Sequence, residues 1–155
     1  MRDLSAALTG QRSSLYRIKQ QRDVTAVLVL YGLPRDLVSS ILAHEAMHVW
    51  LKLNQGFPFR MAPRLEEGLC QVIAYLYLQR IAACAEEGMV CMEGGAFRQF
   101  AQEQALRAYF QKQIQTDTST VYGDGFREIY GAVQALGLQI VLEYIQQHLA
   151  VPPIG

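Results

Sequence analysis

The chain has 155 residues, 51% of them apolar and 18% charged, and its 14 basic and 14 acidic side chains leave no formal net charge. That length and balance describe one globular domain with a core of its own and exclude a disordered chain. They also exclude a bulk electrostatic pull toward nucleic acid or anionic lipid, so neither is an expected partner.

Residues 1–14 read as a loose lead-in with no signal-peptide pattern. Within 15–31, "LYRIKQ" and "DVTAVLVLYG" read as two strands, the second nearly central because its apolar run is almost unbroken. No apolar run is expected to span a bilayer; the longest, "VTAVLVLYGL", has about half the required length. "GLPRD" leads into a helix over 37–53, with Pro34 near its start and Gly56 placed to end it. A second helix covers 64–85; its apolar residues surround most of its circumference, which predicts deep burial. The rest, 96–149, is helical: one amphipathic helix to about residue 115 burying Phe97, Phe100, Leu106, Phe110 and Ile114, then two shorter ones after the polar loop "TDTSTVYGDGF". The expected fold class is α+β, mainly α, with a short N-terminal β-sheet. Cys70, Cys84 and Cys91 form an odd set without metal-knuckle spacing, which reads as free thiols and a cytoplasmic location.

The chemistry concentrates in "LAHEAMHVW". Residues four apart on a helix lie about forty degrees from one another, so His44 and His48 can aim at one point, with Glu45 at the edge of the same cleft. Zinc takes imidazole nitrogen and carboxylate oxygen, and a hydrolytic site leaves one position for water. The pattern HExxH supplies two ligands and a general base. On this chain's His and Glu content, chance gives it in about three chains per thousand. The flanks "SILAHEAMHVWLKL" are apolar, and histidines on a largely buried helix need partners, of which a metal is one.

A third ligand follows in "RLEEGLCQ". Eighteen residues separate His48 from Glu67, and a glutamate followed by glycine at that distance is similar to the gluzincin arrangement of the aminopeptidase N family. Glu66 and Glu67 point about a hundred degrees apart, so only one ligates. The spacing and the following glycine favour Glu67; Glu66 is the alternative, or else a hydrogen-bond partner of a ligand.

Three separated blocks carry a further resemblance. "VTAVLVLYGLPRDLVSSILAHEAMHVWLKLNQGF", "LEEGLCQV" and "QIQTDTSTVYGDGFREIYGAVQALGLQIVLEYIQ", in that order, resemble the C-terminal peptidase domain of the plant DA1-type organ-growth regulators, LIM-domain, ubiquitin-activated metallopeptidases. The likeness covers about residues 20–147. It implies a zincin-like metallopeptidase domain with an active-site helix and a zinc endopeptidase acting on other proteins. His44, His48 and the glutamate of "EEG" would be ligands of one zinc ion, and Glu45 the base. Ubiquitin-interacting and LIM segments have no counterpart here, so neither ubiquitin activation nor the plant substrates carry over, and the expected partner is a protein or peptide substrate. A zinc-binding but catalytically weak interaction module is the competing expectation.

Seven more residues are singled out. Tyr122, in a glycine-flanked loop, is the candidate donor to the oxygen that gains charge, or it anchors a turn. Arg127 pairs with Asp124 or holds a substrate carboxylate. Gln71 orients a ligand histidine or packs in its helix, and His148 sits exposed at a helix C-terminus. Trp50, like Tyr75 and Tyr77, is expected in the core.

Overall fold

A computed structural model describes residues 24–88 and 95–154, with the side chains of 86–88 and 95–97 left aside. Every regular element among them is a helix: α1 Arg35–Leu53, α2 Pro63–Gly88, α3 Gly95–Thr116, α4 Gly123–Leu136 and α5 Leu138–His148. Helix α2 is the hub. It packs against α1, α3 and α4, and α5 packs on α4.

The mixed fold with an N-terminal sheet is therefore corrected: the described residues contain no strand. Residues 15–20 lie outside them. Val24–Leu30 has no regular secondary structure and no ladder partner among the described residues, and Leu28 and Leu30 are 86% and 76% exposed. An apolar run becomes a strand only when a neighbouring strand takes its N–H and C=O groups, and none among the described residues does so. Phe97 and Cys91 also lie outside the described side chains.

Helix α1 presents Ser40, His44, Met47, His48 and Leu51 at helical spacing, and this is the side that meets α2. From α2 come Glu67, Cys70, Gln71 and Ala74 at the same spacing. The core then continues through Leu65, Leu69, Val72, Tyr75, Phe126 and Ile129 to Val141 and Ile145. Trp50 and Tyr77 are not core residues; they are 42% and 40% exposed, whereas Tyr75 is buried. On α3, Phe110 is buried but Leu106 faces outward. The segment Pro63–Ala85 of α2 is long and apolar enough to cross a membrane by length and composition, contrary to expectation. Its contacts with three helices account for that apolarity.

The glycine after Glu67 has a packing reason. A Cβ on Gly68 would stand 2.5 Å from the carbonyl carbon of Gly125, and one on Gly125 would stand 2.4 Å from the Arg64 carbonyl oxygen. Helices α2 and α4 thus cross backbone to backbone, one residue from the proposed ligand. Gly68→Ala is expected to force them apart and lower stability by about 1–3 kcal/mol. It should also weaken metal binding by displacing Glu67. Urea unfolding and zinc titration of the variant check both effects.

Candidate metal centre

Three ligand atoms converge between α1 and α2. Nε2 of His44 and Nε2 of His48 are 3.2 Å apart, and each is 3.2 Å from Oε2 of Glu67. The outer nitrogens are fixed as well: Nδ1 of His44 lies 3.2 Å from Oε1 of Gln71, and Nδ1 of His48 lies 3.0 Å from Oε1 of Glu66. Glu66 also pairs with Lys52 at 2.6 Å, and Lys52 donates to the Phe59 carbonyl at 3.0 Å. Burial alone would raise the Glu66 carboxyl, but the hydrogen bonds and charges of Lys52 and His48 outweigh it and hold the group below the usual carboxylate value.

The tautomers follow. A carboxylate can only accept, so Nδ1 of His48 donates to Glu66, and the Gln71 amide oxygen asks the same of His44. A neutral ring that donates from Nδ1 presents a bare lone pair at Nε2. With both rings in that form, two lone pairs and a carboxylate oxygen face one another across 3.2 Å. That arrangement is repulsive by itself and is relieved by a cation. Zinc bonds of about 2.0–2.1 Å at tetrahedral angles place ligand atoms about 3.3–3.4 Å apart, so the donor set fits a zinc ion in both chemistry and size.

Cys70 is a competing donor that sequence reasoning did not consider: its sulfur and ligand atoms of both histidines lie within 4.8 Å of one another. Glu67 is preferred on distance. Burial first, then the charges of Glu67, Glu66 and Glu45, push the Cys70 thiol far above its usual value and keep it protonated.

Glu45 borders two clefts beside the ligand histidines. One, of about 490 Å³, runs between α1 and α3 and is lined by His44, Ile41, Ala74, Phe110 and Ile114 among others. The other, of about 320 Å³, is lined by His48, Lys52, Val49 and the irregular segment at Val24 and Leu28.

Tyr122 stands at the N-terminus of α4. The charge of Glu67, then burial, then the charge of Glu45 raise its phenol above the usual value, which places the ring in the field of the site. The "TDTSTVYGDGFR" block is its mount. The Ser119 hydroxyl accepts from the backbone N–H groups of Tyr122 and Gly123, at 3.1 and 3.2 Å. Arg127 donates to the Asp117 carbonyl at 2.6 Å and to Asp124 at 2.5 Å, so its role is structural. His148 stacks on Tyr144 at the end of α5 and takes no part in the site.

The sequence reading missed Lys52, although it stands four residues after His48 and so continues the row on α1 that carries both histidines. The apolar cleft wall from α3 was missed too, because it depends on how separate helices pack.

Comparison with known proteins gives a single direction. The family model described as "DA1-like: Protein DA1" matches residues 2–148. Protein DA1-related 1 of Arabidopsis thaliana is 41% identical over 140 residues, which cover 84% of this chain and 25% of that protein. Protein DA1 of the same plant is 40% identical over 146 residues, covering 88% and 27%. The LIM domain-containing protein HDR3 of Oryza sativa subsp. japonica is 36% identical over 157 residues, covering 90% and 30%. The chain thus spans about a quarter of the length of the curated relatives it matches. No solved structure matches it significantly.

Proposed function

The chain belongs to the DA1-like family, and from that premise we propose that it is a zinc-dependent endopeptidase that hydrolyses peptide bonds in protein substrates. One observation carries the reading: two imidazole nitrogens and one carboxylate oxygen, each 3.2 Å from the others, converge between α1 and α2.

His44, His48 and Glu67 would hold a single ion. When bound, zinc supplies Lewis acidity, lowering the pKa of the attacking water and polarising the scissile carbonyl. Glu45 accepts the proton from that water and passes it to the leaving amine. Its position between the two clefts suits this, because a peptide laid along α1 crosses it with chain on either side. Tyr122 donates its phenolic hydrogen to the oxygen on which negative charge grows. A phenol kept protonated by neighbouring carboxylates is suited to that task. Gln71 and Glu66 hold the two imidazoles in the tautomer that ligation needs. The larger cleft, apolar on Ile41, Ala74, Phe110 and Ile114, suits an apolar side chain next to the scissile bond.

Zinc content and casein cleavage of the purified chain test the proposal. One zinc per chain with cleavage supports it, zinc without cleavage supports the binding module, and no zinc removes both. Glu67→Gln and Glu66→Gln are expected to separate. The first removes a ligand and should abolish stoichiometric zinc; the second removes an orienting partner and should weaken binding by about 10- to 100-fold. Equal loss in both variants would contradict the ligand assignment.

A further inference from the structure

The two ligand histidines are supported unequally. His44 is held by the neutral amide of Gln71, whereas His48 is held by a carboxylate that is itself engaged by an ammonium group. We propose that Lys52 is a positioning residue of the metal centre: it holds the Glu66 carboxylate against Nδ1 of His48 and, through the Phe59 carbonyl, ties the α1–α2 connection to that same support. The inference rests on the metal site proposed above.

The geometry sets out a chain of contacts. The Phe59 carbonyl accepts from Lys52 at 3.0 Å, Lys52 meets Oε1 of Glu66 at 2.6 Å, and that same oxygen accepts from His48 Nδ1 at 3.0 Å. Three elements are thereby joined: α1 through His48 and Lys52, α2 through Glu66, and the connection between them through Phe59. The pair is mostly withdrawn from water, with the Glu66 side chain 12% exposed and that of Lys52 29% exposed. An ion pair so placed is screened less than a surface pair, and its short contact fixes the oxygen that His48 requires.

Lys52 lies on the α1 face of His44 and His48, one turn beyond the second histidine, so helix geometry brings its ammonium to the rim of the site. The lysine stem also passes the Phe59 ring, with Nζ 5.6 Å from the ring centroid. Without the ammonium, Glu66 keeps His48 but loses the group that pins its rotamer. The imidazole is then less well aimed, and metal affinity falls even though no ligand has been touched. Outer partners of metal ligands typically carry about 10- to 100-fold of affinity.

The test is the zinc dissociation constant, read by competition with a chromophoric chelator, for the wild type, Lys52→Met, Lys52→Arg, Glu66→Gln and the Lys52→Met/Glu66→Gln double variant. Zinc-free unfolding midpoints are measured alongside. Lys52→Met should weaken zinc by about tenfold or more, and Lys52→Arg should recover most of that loss. The decisive arm is the double variant, which should bind no more weakly than Glu66→Gln alone, because Lys52 acts through Glu66. If Lys52→Met does not fold, Lys52→Gln carries the same comparison, since it keeps a donor without the charge. Wild-type affinity in Lys52→Met, or an equal loss in the Glu66→Gln background, overturns the inference while leaving the metal site standing. A wild-type chain that binds no zinc overturns both.

Discussion

Glu45→Gln is expected to abolish peptide-bond cleavage while leaving one zinc bound per chain. Glu45 follows His44 directly, so its side chain leaves α1 about a hundred degrees round from His44 and about sixty from His48. Among the described residues no hydrogen bond or ion pair engages it, and it borders both clefts beside the histidines. A glutamine there keeps the shape and removes the proton acceptor. General-base loss typically costs about 10²- to 10⁴-fold in rate, or about 3–5 kcal/mol of barrier. Turnover of a quenched-fluorescence peptide, set beside zinc content by mass spectrometry, reads the two effects separately. Cleavage that survives would assign the base elsewhere; zinc lost with the substitution would make Glu45 part of the metal's support.

Arg107→Met is expected to destabilise the fold by about 3–5 kcal/mol, because it takes from a buried carboxylate its buried partner and leaves it only the exposed Arg35, at 3.4 Å. Arg107, on α3, is 2% exposed, and its Nε and Nη2 meet Oδ2 of Asp36, at the start of α1, at 2.8 and 2.7 Å. This pair ties α3 to α1 beyond the end of the larger cleft, whose outer wall is Phe110 and Ile114 of the same helix. The exposed neighbour Arg35–Glu103, at 3.0 Å, is a control: Glu103→Gln should cost less than about 1 kcal/mol. Urea unfolding of both variants gives the comparison, and similar losses would contradict the account. Replacing Arg107 and Asp36 together by apolar residues should restore much of the stability, since the penalty is that of a buried charge deprived of its buried partner.

What could be read in advance follows the range of each interaction. His44 and His48 were legible because four-residue spacing is a property of one helix. Glu67 needed only a count of residues to the next helix and the glycine beside it. The physical role of that glycine, a backbone crossing with Gly125, depends on α4 and could not be read from the motif. The strand expected in "DVTAVLVLYG" was misread because an unbroken apolar run looks the same whether a sheet covers it or solvent does, and pairing is set by distant residues. Trp50 was different. It lies about 120° round α1 from His44, so its angle already pointed away from the α2 face, and apolarity was given more weight than position.

X-ray absorption at the zinc edge of the zinc-loaded chain tests the central claim most directly. The account predicts a first shell of nitrogen and oxygen alone at about 2.0–2.1 Å, with the outer-shell scattering of two imidazoles. A sulfur at about 2.3 Å would put Cys70 in place of Glu67. A shell without imidazole would contradict the account entirely.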